Sequence, residues 1–517
     1  MSVDLILAYD LGTSGIKACI FDSRGNFLGD AYGKCETEYP HAGWAVQDPE
    51  RWWTVLQAAT RRAVEASGVG PERIRAISFS SHGGALVPVD REGRVLMDRV
   101  MLWNDARCGV EAKYILAEAG AEEHYRKTGC SMDLSMSIAA KLLWMRRYMP
   151  ETYEKTYKFL GAKEYMILRM TGEMGYTDFA ERGSSGAFNN ETCSWDPELL
   201  RICRLDPEKL CEAASPTKVV GGLTRAAAAY LGLCPDTPVV LGSWDNYACA
   251  SGGGIHSGEM VLCMGTAGWF GVNSGKPLAL TGCKPNIVHV DEGTFFTSIH
   301  SHSACAAYDW VRHTMCSYLE READPLRAAE DLARRAGAGA GKLFFLPAMF
   351  TGNTFYSSNA LCGSMLGLKM GQDCGHIIRA AMEGPAFDLM IGAELLREQN
   401  MLPERCTVIG GGAKSSLWVQ ILADMFDMPV RRPRNPQHIG ALGAALYAGV
   451  GAGSIRSLDE AAGMVQTEDV TYPDPANHKI YQELLPVYQH FYKKLMPVYE
   501  KLQAVALQEK RVGGNHD

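Results

Sequence analysis

The sequence lacks several features that would place it in a specialised class of protein. Its 16 cysteines never form a CxxC pair and are scattered through stretches typical of regular structure. We therefore expect reduced core thiols rather than disulfide bonds or a zinc site. The N-terminal stretch MSVDLILAYD has neither the basic region nor the long apolar core of a signal peptide. Since no run of about 18 uncharged apolar residues occurs either, we expect a cytoplasmic protein without a membrane partner.

Charge and composition exclude one class of partner and bound the architecture. The chain has 51 basic and 59 acidic residues and no basic run that resembles a nucleic-acid-binding arm. Nucleic acid is therefore not expected as a partner, whereas a homodimer is compatible with the sequence. With 517 residues, of which 47% are apolar and 21% charged, the chain is long enough for two or more globular domains.

Residues 8–17 read AYDLGTSGIK, a Gly-Thr-x-Gly stretch between two apolar runs. The residues after Gly15, IKACIFD, alternate and favour a strand, which predicts a hairpin turn rather than a Walker loop. Gly12 and Gly15 permit unusual backbone angles, and outward N–H groups in such a turn can hold an anion. Asp10 ends the preceding strand, where its carboxylate could hold Mg²⁺ through water. The alternative is an ordinary hairpin with Asp10 and Lys17 in solvent.

The same pattern returns in the second half of the chain. Residues 261–270 read VLCMGTAGWF, again with Gly-Thr-x-Gly between two β-prone runs. Two such turns facing each other across a cleft could hold a polyphosphate from both sides, which favours a phosphate clamp over two structural turns. The predicted nucleotide-binding residues of the clamp are Gly12, Thr13, Ser14, Lys17, Gly265 and Thr266.

The apolar patterns indicate two α/β halves. The first has a three-strand meander (LILAYD, KACIFD, NFLGDAYG), a helix from DPERWW, the strand IRAISFS and a mostly helical stretch at 105–170. The second has the hairpin MVLCMG/GWFGVN, a long helix from HIIRAAMEG, the strand CTVIG and the helix SSLWVQILADMF. Residues 476–508 are expected to form an exposed helix. Glycines at 251–259 predict a hinge and domains at 1–254 and 255–517.

A candidate base follows the strand TPVVLGS. Asp245 lies at the C-terminal end of that strand, where α/β sheets place ligands. A carboxylate there can orient a sugar hydroxyl and accept its proton as the bond to a γ-phosphate forms. The alternative is an N-cap, because Asp-Asn before a helix commonly has that role.

Two further stretches carry candidate sugar ligands. FSSHGGALV predicts strand, turn and strand, and His82 in the turn could bond sugar hydroxyls or be an ordinary loop histidine. In WNDAR, Trp103 offers an apolar face, while Asn104 and Asp105 offer hydroxyl partners. Alternatively, Asp105 caps the following helix and Trp103 lies in the core.

A glycine cluster, GGGAKS at 410–415, follows the strand CTVI and opens a helix. Glycines let the backbone approach a flat ring or a phosphate, and a helix N-terminus favours negative charge. The alternative is a tight connection without a ligand.

Several motifs occur in the order and spacing of one known family. They are DLGTSGIKACIFD, HAGWAVQDPERWW, WNDAR, SWDN, GTAG, MEGPAF, GGGAKSSLW and GALGAAL. Over nearly its whole length the chain resembles the FGGY carbohydrate kinases, and most of all their xylulokinase-like members. The resemblance implies an α/β fold of duplicated ribonuclease H-like (actin-like ATPase) domains with a cleft between them. It also implies that sugar binds in the first domain and nucleotide between the two.

The resemblance assigns roles to the candidate residues. It implies Asp245 as the base, Mg²⁺ held by Asp10 and Asp245 through water, and ATP as the phosphoryl donor. The glycine cluster then faces adenosine. The implied substrate-binding residues are Ser81, His82, Trp103, Asn104, Asp245 and Asn246, and the implied adenosine-binding residues are Gly411, Gly412, Ala413 and Ser415.

The chain departs from the family pattern at several positions. Ser80 and Ser81 replace the usual Gln and Met before His82. The other departures are Ala304 and Cys305 before a helix expected to end in Trp310, TDFAERGSSGAF at 177–188, TGNTF at 351–355 and His438 before GALGAA. These changes leave phosphoryl transfer intact but put the identity of the sugar in question.

The expected function is ATP-dependent phosphorylation of a hydroxyl of a small sugar, with a ketopentose such as xylulose first. Alternatives are another ketose or a linear polyol of the ribulose, glycerol or erythritol type. A different class of function is a non-catalytic, actin-like sugar sensor or scaffold. Against that class stand Asp10, Asp245 and both Gly-Thr turns, since a binding module does not need the base.

Overall fold

The computed structural model describes residues 4–505 except 132, 279, 281, 282, 350, 351, 357 and 359. Residues 506–508 of the predicted C-terminal helix and Thr351 of TGNTF therefore lie outside the described residues. The strands of the first half are β1 (Leu5–Gly12), β2 (Gly15–Asp22), β3 (Phe27–Lys34), β4 (Val46–Gln47), β5 (Ile74–Ser81), β6 (Val87–Val89), β7 (Val100–Met101), β8 (Lys158–Leu160), β9 (Tyr176–Asp178), β10 (Phe188–Asn189), β11 (Ser194–Trp195), β12 (Glu212–Ala214), β13 (Val219–Gly222), β14 (Pro238–Val240) and β15 (Ser243–Trp244). Its helices are α1 (Pro49–Ser67), α2 (Gly109–Ala119), α3 (Ala121–Thr128), α4 (Ile138–Tyr148), α5 (Pro150–Lys155), α6 (Ala162–Thr171), α7 (Phe179–Gly183), α8 (Pro197–Cys203), α9 (Arg225–Leu231) and α10 (Asp245–Gly252).

The second half continues the alternation of strands and helices. Its strands are β16 (Met260–Met264), β17 (Gly268–Ser274), β18 (Asn286–Asp291), β19 (Thr294–Ser301), β20 (Phe344–Leu346), β21 (Ser364–Leu366), β22 (Cys406–Ile409), β23 (Val430–Pro433) and β24 (Thr467–Thr471). Its helices are α11 (Cys305–Met315), α12 (Pro325–Ala336), α13 (Cys374–Glu398), α14 (Ser416–Phe426), α15 (Ile439–Gly451), α16 (Leu458–Ala462) and α17 (Pro475–Gln503). The predicted meander, the helix after DPERWW, the helical stretch 105–170 and the second hairpin are all confirmed.

The two large sheets repeat one topology. The first has the order β13-β14-β5-β1-β2-β3, and the second has the order β24-β23-β22-β16-β17-β19-β18. In each sheet the first strand pairs antiparallel with its hairpin partner and parallel with the strand on its other side, β5 or β22. Each sheet then continues through a further parallel strand to an antiparallel edge strand. This repeat confirms the predicted duplicated α/β fold.

Local sequence signals explain where the elements begin and end. Asp48 caps α1 by accepting the Glu50 and Arg51 amides, and Gly68 ends the helix with a left-handed φ of 64°. In the first hairpin Gly12 pairs with Gly15, so Thr13 and Ser14 form a two-residue turn. The second hairpin is joined by the three residues between Met264 and Gly268.

Helix α15 joins the two halves, although it belongs to the second half of the chain. It packs against β1 and β5 of the first sheet and against α10. The contact is close: a Cβ on Gly443 would lie 1.9 Å from the Ala248 carbonyl oxygen, and one on Gly252 would lie 2.1 Å from that of Ile439. Gly252, at the predicted hinge, is therefore also required for packing. The division after residue 254 stays a prediction.

The C-terminal helix is not exposed on all sides, which corrects one prediction. Tyr481, Leu485, Tyr488 and Tyr492 of α17 are buried, because they share one face at helical spacing. This face docks on α13, where Tyr481 Oη donates to Glu383 Oε1 at 2.7 Å.

The prediction that all the thiols are reduced is wrong at one pair. Cys316 and Cys374 are joined by a disulfide bond. Their 58-residue separation hid this pairing, which arises because the end of α11 meets the start of α13. Helix α11 also continues to Met315 rather than ending at Trp310.

Within the described ranges we find no helix with both the length and the apolar character needed to span a membrane.

Candidate active site

Two carboxylates lie at one edge of the first sheet. Asp10 of β1 is opposite Ser80 of β5, and Ser243 of β15 is opposite the same Ser80. Asp245 follows β15 as the first residue of α10. The Ser80 hydroxyl donates to Asp10 Oδ1 at 2.9 Å. The fold thus brings together the two acids that the sequence analysis predicted for metal binding and catalysis.

The surroundings of both acids raise their pKa values. Burial, and then the charge of Asp10, raise the pKa of Asp245 to about 7. Burial also raises the pKa of Asp10, while its hydrogen bond from Ser80 and the charge of Lys17 act in the opposite direction. Because two nearby carboxylates disfavour each other's ionisation, a cation beside them would be bound favourably.

The donor set fits a hydrated magnesium ion. Mg²⁺ commonly takes only one or two carboxylates and completes its shell with water and substrate phosphates. Among the residues that the structure describes, no group of three or more His, Cys, Asp or Glu side chains could hold a metal. Asp10 and Asp245 therefore suit an ion shared with a phosphate rather than one enclosed by protein.

Asp245 does not have the N-cap role that was its alternative explanation. The N-cap of α10 is Trp244, and Asp245 is already helical. Its Oδ1 accepts the amide of Asn246 at 2.7 Å, and the start of a helix favours the ionised form of a carboxylate. Asn246 is beside it and only partly buried. A pKa near neutrality suits a general base at neutral pH.

His82 presents an acceptor nitrogen at the end of β5. Its Nδ1 lies 2.8 Å from the carbonyl oxygen of Leu11, so Nδ1 must carry the proton. Nε2 is then an acceptor, and it is buried without a hydrogen-bond partner among the described residues. Burial lowers the pKa of His82, although the bond to Leu11 acts oppositely. The Ser81 hydroxyl donates to the His82 carbonyl at 3.1 Å and so supports this loop.

The WNDAR segment divides into accessible and structural residues. Trp103 is 39% exposed, which excludes the core alternative, and its Nε1 donates to Thr13 Oγ1 at 2.9 Å. Asn104 Oδ1 is buried and unpaired within the part of the chain that is described. Both carboxylate oxygens of Asp105 have hydrogen-bond partners. Oδ2 accepts the Ala45 amide, and Nε and Nη2 of Arg107 donate to Oδ1 and Oδ2. Asp105 is therefore neither a hydroxyl ligand nor a helix cap.

The first Gly-Thr turn forms as predicted, but the reason for its glycines differs. Neither Gly12 nor Gly15 has a left-handed φ. A Cβ on Gly15 would lie 2.3 Å from the Gly33 carbonyl oxygen and 2.4 Å from Tyr32 Oη, so packing of β2 on β3 requires that glycine. Near Gly12 the closest atom would be 3.4 Å away. Tyr32 Oη also donates to the Ser14 carbonyl at 2.8 Å.

Lys17 lies opposite Asp10 in the hairpin and reaches toward the second half of the chain. Its Nζ donates to the Gln437 carbonyl at 3.1 Å. The next residue, His438, stacks on Phe27 with ring centroids 4.3 Å apart. His438 therefore packs between the halves. Lys17 is held where the two halves meet, and among the described residues it has no ion-pair partner.

The second turn is built from three separate segments. The amides of Ala304 and Cys305 donate to the Thr266 and Gly265 carbonyls, both at 2.9 Å. Helix α11 thus begins on the turn. The glycine cluster packs on its other side, since a Cβ on Gly412 would lie 2.6 Å from Met264 Cβ. The structure therefore places the 410–415 stretch against the Gly-Thr turn, as expected for two parts of one site.

The start of α14 is covered by a carboxylate and is therefore not open for a phosphate. Glu330 of α12 lies over it, where Oε1 accepts the Leu417 amide at 2.8 Å and Oε2 accepts the Ser415 hydroxyl at 2.9 Å. Ser415 also caps α14. Gly411 is exposed with open space around it, and Ala413 is buried. Of this group Gly411 has the clearest access to a ligand.

Two buried charged residues near the sugar candidates were missed. Lys141 of α4 donates from Nζ to the carbonyls of Gly84 and Leu102 at 2.8 and 2.6 Å. Glu181 of α7 accepts the Gly84 amide at 2.7 Å. Lysine and glutamate usually lie at the protein surface, so the burial of both is unusual. Nothing in the neighbouring sequence predicts this burial. For Glu181 the only sequence signal was its place in the divergent stretch 177–188.

Comparison with known proteins identifies the family. Residues 5–252 match the N-terminal domain of the FGGY family of carbohydrate kinases, and residues 260–452 match its C-terminal domain. The chain belongs to the FGGY family of carbohydrate kinases. As an FGGY kinase it is a sugar phosphotransferase, and membership of a kinase family implies ATP as a substrate.

Individual relatives show how broad the neighbourhood of this FGGY kinase is. It is 28% identical to the xylulose kinase of Escherichia coli strain K12, over 93% of this chain and 100% of that one. It is 26% identical to the gluconokinase of Bacillus subtilis strain 168, over 93% and 94% of the two chains. The crystal structure of a ligand-bound xylulose kinase from Lactobacillus acidophilus superposes with a TM-score of 0.88, at 27% identity and 97% and 100% coverage. Relatives with different named substrates thus lie at similar identity.

Proposed function

We propose that this kinase transfers the γ-phosphate of ATP to a hydroxyl of a small neutral sugar, with a ketopentose such as xylulose as the first candidate. The observation that carries the proposal is the pair Asp10 and Asp245 at one sheet edge, with the pKa of Asp245 raised to about 7. A carboxyl group whose pKa lies near neutral pH can be ionised in the resting enzyme and still accept a proton.

The chain's own residues would then act as follows. Asp245 takes the proton of the reacting hydroxyl. His82 Nε2 and Asn104 Oδ1, both buried and unpaired in the described chain, accept bonds from other hydroxyls, and Trp103 covers the carbon chain. Asn246 offers a further hydroxyl partner. Unpaired buried acceptors favour a ligand rich in hydroxyl donors, because such a ligand removes their desolvation cost.

The nucleotide would lie across the two Gly-Thr turns. Thr13, Ser14 and Thr266 would hold its phosphates, and the Gly411 region would face adenosine. Mg²⁺ held by Asp10 and Asp245 supplies neutralisation of phosphate charge when bound. Lys17, at the cleft, adds positive charge on the protein side.

The charge of the sugar site argues for a neutral substrate over a sugar acid. The cation that acts on His82 is Lys141, and its ammonium group already donates to the carbonyls of Gly84 and Leu102. A carboxylate-bearing substrate would instead meet Asp245 and Asp10. Like charges brought together at this site would weaken binding.

The test is an ADP-release assay with Mg²⁺-ATP and a substrate panel. The panel includes xylulose, ribulose, glycerol, erythritol and gluconate, each with the wild-type protein and with Asp245→Asn. We expect the highest kcat/KM with a ketopentose and loss of sugar-dependent ADP release in the variant. A gluconate kcat/KM above that of every neutral sugar would refute the proposed substrate class.

A further inference from the structure

The backbone of Gly84 is held from both sides by buried charged side chains. Its amide donates to Glu181 Oε1 at 2.7 Å, and its carbonyl accepts Lys141 Nζ at 2.8 Å. Lys141 also donates to the Leu102 carbonyl at 2.6 Å. Glu181 and Lys141 are 5% and 0% exposed. One clamp therefore connects the loop that follows His82 with the segment that leads to Trp103.

The loop is fitted closely to Glu181. A Cβ on Gly83 would lie 2.6 Å from Glu181 Oε2 and 2.8 Å from Cδ1 of Trp244. Gly84 has a left-handed φ of 72°, which side chains other than glycine rarely adopt. The path of the backbone between His82 and Gly84 thus depends on where the Glu181 carboxyl lies.

We propose that Glu181 is a positioning residue that sets sugar affinity by holding the His82–Gly84 loop through the Gly84 amide. The inference rests on the proposed function, in which His82 and Trp103 contact the sugar. Glu181 acts through the backbone and is not assigned a contact with the reacting atoms.

The surroundings of Glu181 indicate which replacement preserves the clamp. Lys163 and Glu164 on α6 and Asp178 before α7 face it, and Lys163 is paired with both of these acids. The charge of Lys141 on α4 also interacts with the Glu181 carboxyl. Burial and the charge of Glu164 raise the pKa of Glu181 to about 8, and in either protonation state the carboxyl keeps an oxygen that can accept the Gly84 amide. Glutamine keeps that acceptor in the same shape, whereas leucine keeps only the volume.

The experiment compares Glu181→Leu and Glu181→Gln with the wild-type protein. Arg182→Leu is the matched control, because Arg182 lies on the same short helix and covers the Phe188 ring at 4.3 Å without touching Gly84. We expect Glu181→Leu to raise the sugar KM roughly tenfold or more while the ATP KM changes less than about twofold, since a buried amide loses its acceptor. Glu181→Gln should restore the wild-type sugar KM.

Hydrogen exchange of the Gly84 amide separates the clamp from the substrate assignment. This amide should exchange faster in Glu181→Leu than in Glu181→Gln or Arg182→Leu, whether or not the tested sugar is the right one. Equal exchange in all three variants overturns the clamp. Faster exchange with an unchanged KM for an accepted sugar overturns the role in affinity. An equal rise in KM for Arg182→Leu reduces the effect to helix stability and also overturns it. Absence of turnover with every sugar counts against the proposed function alone.

Discussion

Trp103 Nε1 donates a hydrogen bond of 2.9 Å to Thr13 Oγ1. The bond joins a residue predicted to face the sugar with a residue predicted to face the phosphates. Gln47 Nε2 holds the same turn by donating to the Thr13 carbonyl at 2.7 Å. The first Gly-Thr turn and the WNDAR segment are therefore joined by a hydrogen bond, and a change in either is expected to affect both ligands.

Thr13→Val tests this connection. Valine has the shape of threonine but cannot accept the indole N–H, so Trp103 loses its fixed orientation. We expect the KM values for sugar and for ATP both to rise, each roughly threefold to tenfold for one lost hydrogen bond. Thr13→Ser keeps the hydroxyl and is the control. A change in the ATP KM alone would show that the bond does not orient Trp103.

Asp245→Asn tests the base. Asparagine is nearly the same size but cannot accept the hydroxyl proton, so kcat should fall on the order of 10² or more. Nucleotide affinity, measured by calorimetry with ADP, should change little. A variant with near-normal turnover would remove Asp245 from this role.

The raised pKa of Asp245 predicts that Asp245→Asn, which lowers activity, makes the fold more stable. Its value of about 7 exceeds the ordinary value of an aspartate. Between these two values the folded state binds more protons than the unfolded state, so the free energy of unfolding decreases as pH rises through this range. Asp245→Asn should therefore raise Tm more at about pH 8 than at about pH 4. The measurement is thermal unfolding without Mg²⁺, and an equal shift at both pH values would contradict it.

The glycines of the first turn are expected to separate stability from nucleotide binding. Gly15→Ala places a carbon 2.3 Å from the Gly33 carbonyl oxygen, and we expect a loss of about 1–3 kcal/mol in stability. Gly12→Val meets no such obstacle at Cβ. It should fold normally and weaken ATP binding roughly tenfold by crowding the phosphates. Denaturant unfolding and nucleotide titration of both variants check the pair, and unchanged ATP affinity in Gly12→Val would restore the ordinary-hairpin explanation.

The docking of α17 is expected to be structural. Tyr488 Oη lies 2.9 Å from Asp388 Oδ1 and 3.0 Å from the Gly384 carbonyl oxygen. Tyr488→Phe should lower the free energy of unfolding by about 1–3 kcal/mol because the buried Asp388 carboxylate loses one of its donors, although Asn353 Nδ2 still donates to Oδ1 at 2.6 Å. Tyr472→Phe, at a residue 69% exposed, is the control. A kcat/KM that falls with stability intact would instead connect this helix with the active site.

Much of the fold followed from short-range patterns in the sequence. The alternation in IKACIFD, the glycines of both turns and the cap before Pro49 correspond to β2, the two hairpins and α1. Apolar side chains that repeat at strand or helix spacing show which face of an element is buried. These elements could therefore be predicted without knowing what they pack against. The helical spacing of Tyr481, Leu485, Tyr488 and Tyr492 in α17 carried the same information, and the expectation of an exposed helix overlooked it.

The details of the site depended on contacts between distant residues. Glu330 was separated from Ser415 by 85 positions, and no local pattern indicates that it covers the start of α14. Lys141 and Glu181 look like surface residues in the sequence, yet both lie against Gly84. The pairing of Cys316 with Cys374 depends in the same way on two helices whose ends meet only in the folded chain.

The sequence by itself determined the duplicated α/β architecture, the two Gly-Thr turns and the choice of Asp10 and Asp245 as candidate acids, because periodicity and turn chemistry act over a few residues. The tertiary structure alone decided that Asp10 and Asp245 share an edge, that Asp105 is consumed by Arg107 and that the Gly84 clamp exists. These features depend on which strands become neighbours and on how much water remains around each charge. Burial is a property of the packed chain, and it is burial that converts ordinary carboxyl groups into groups that titrate near neutral pH.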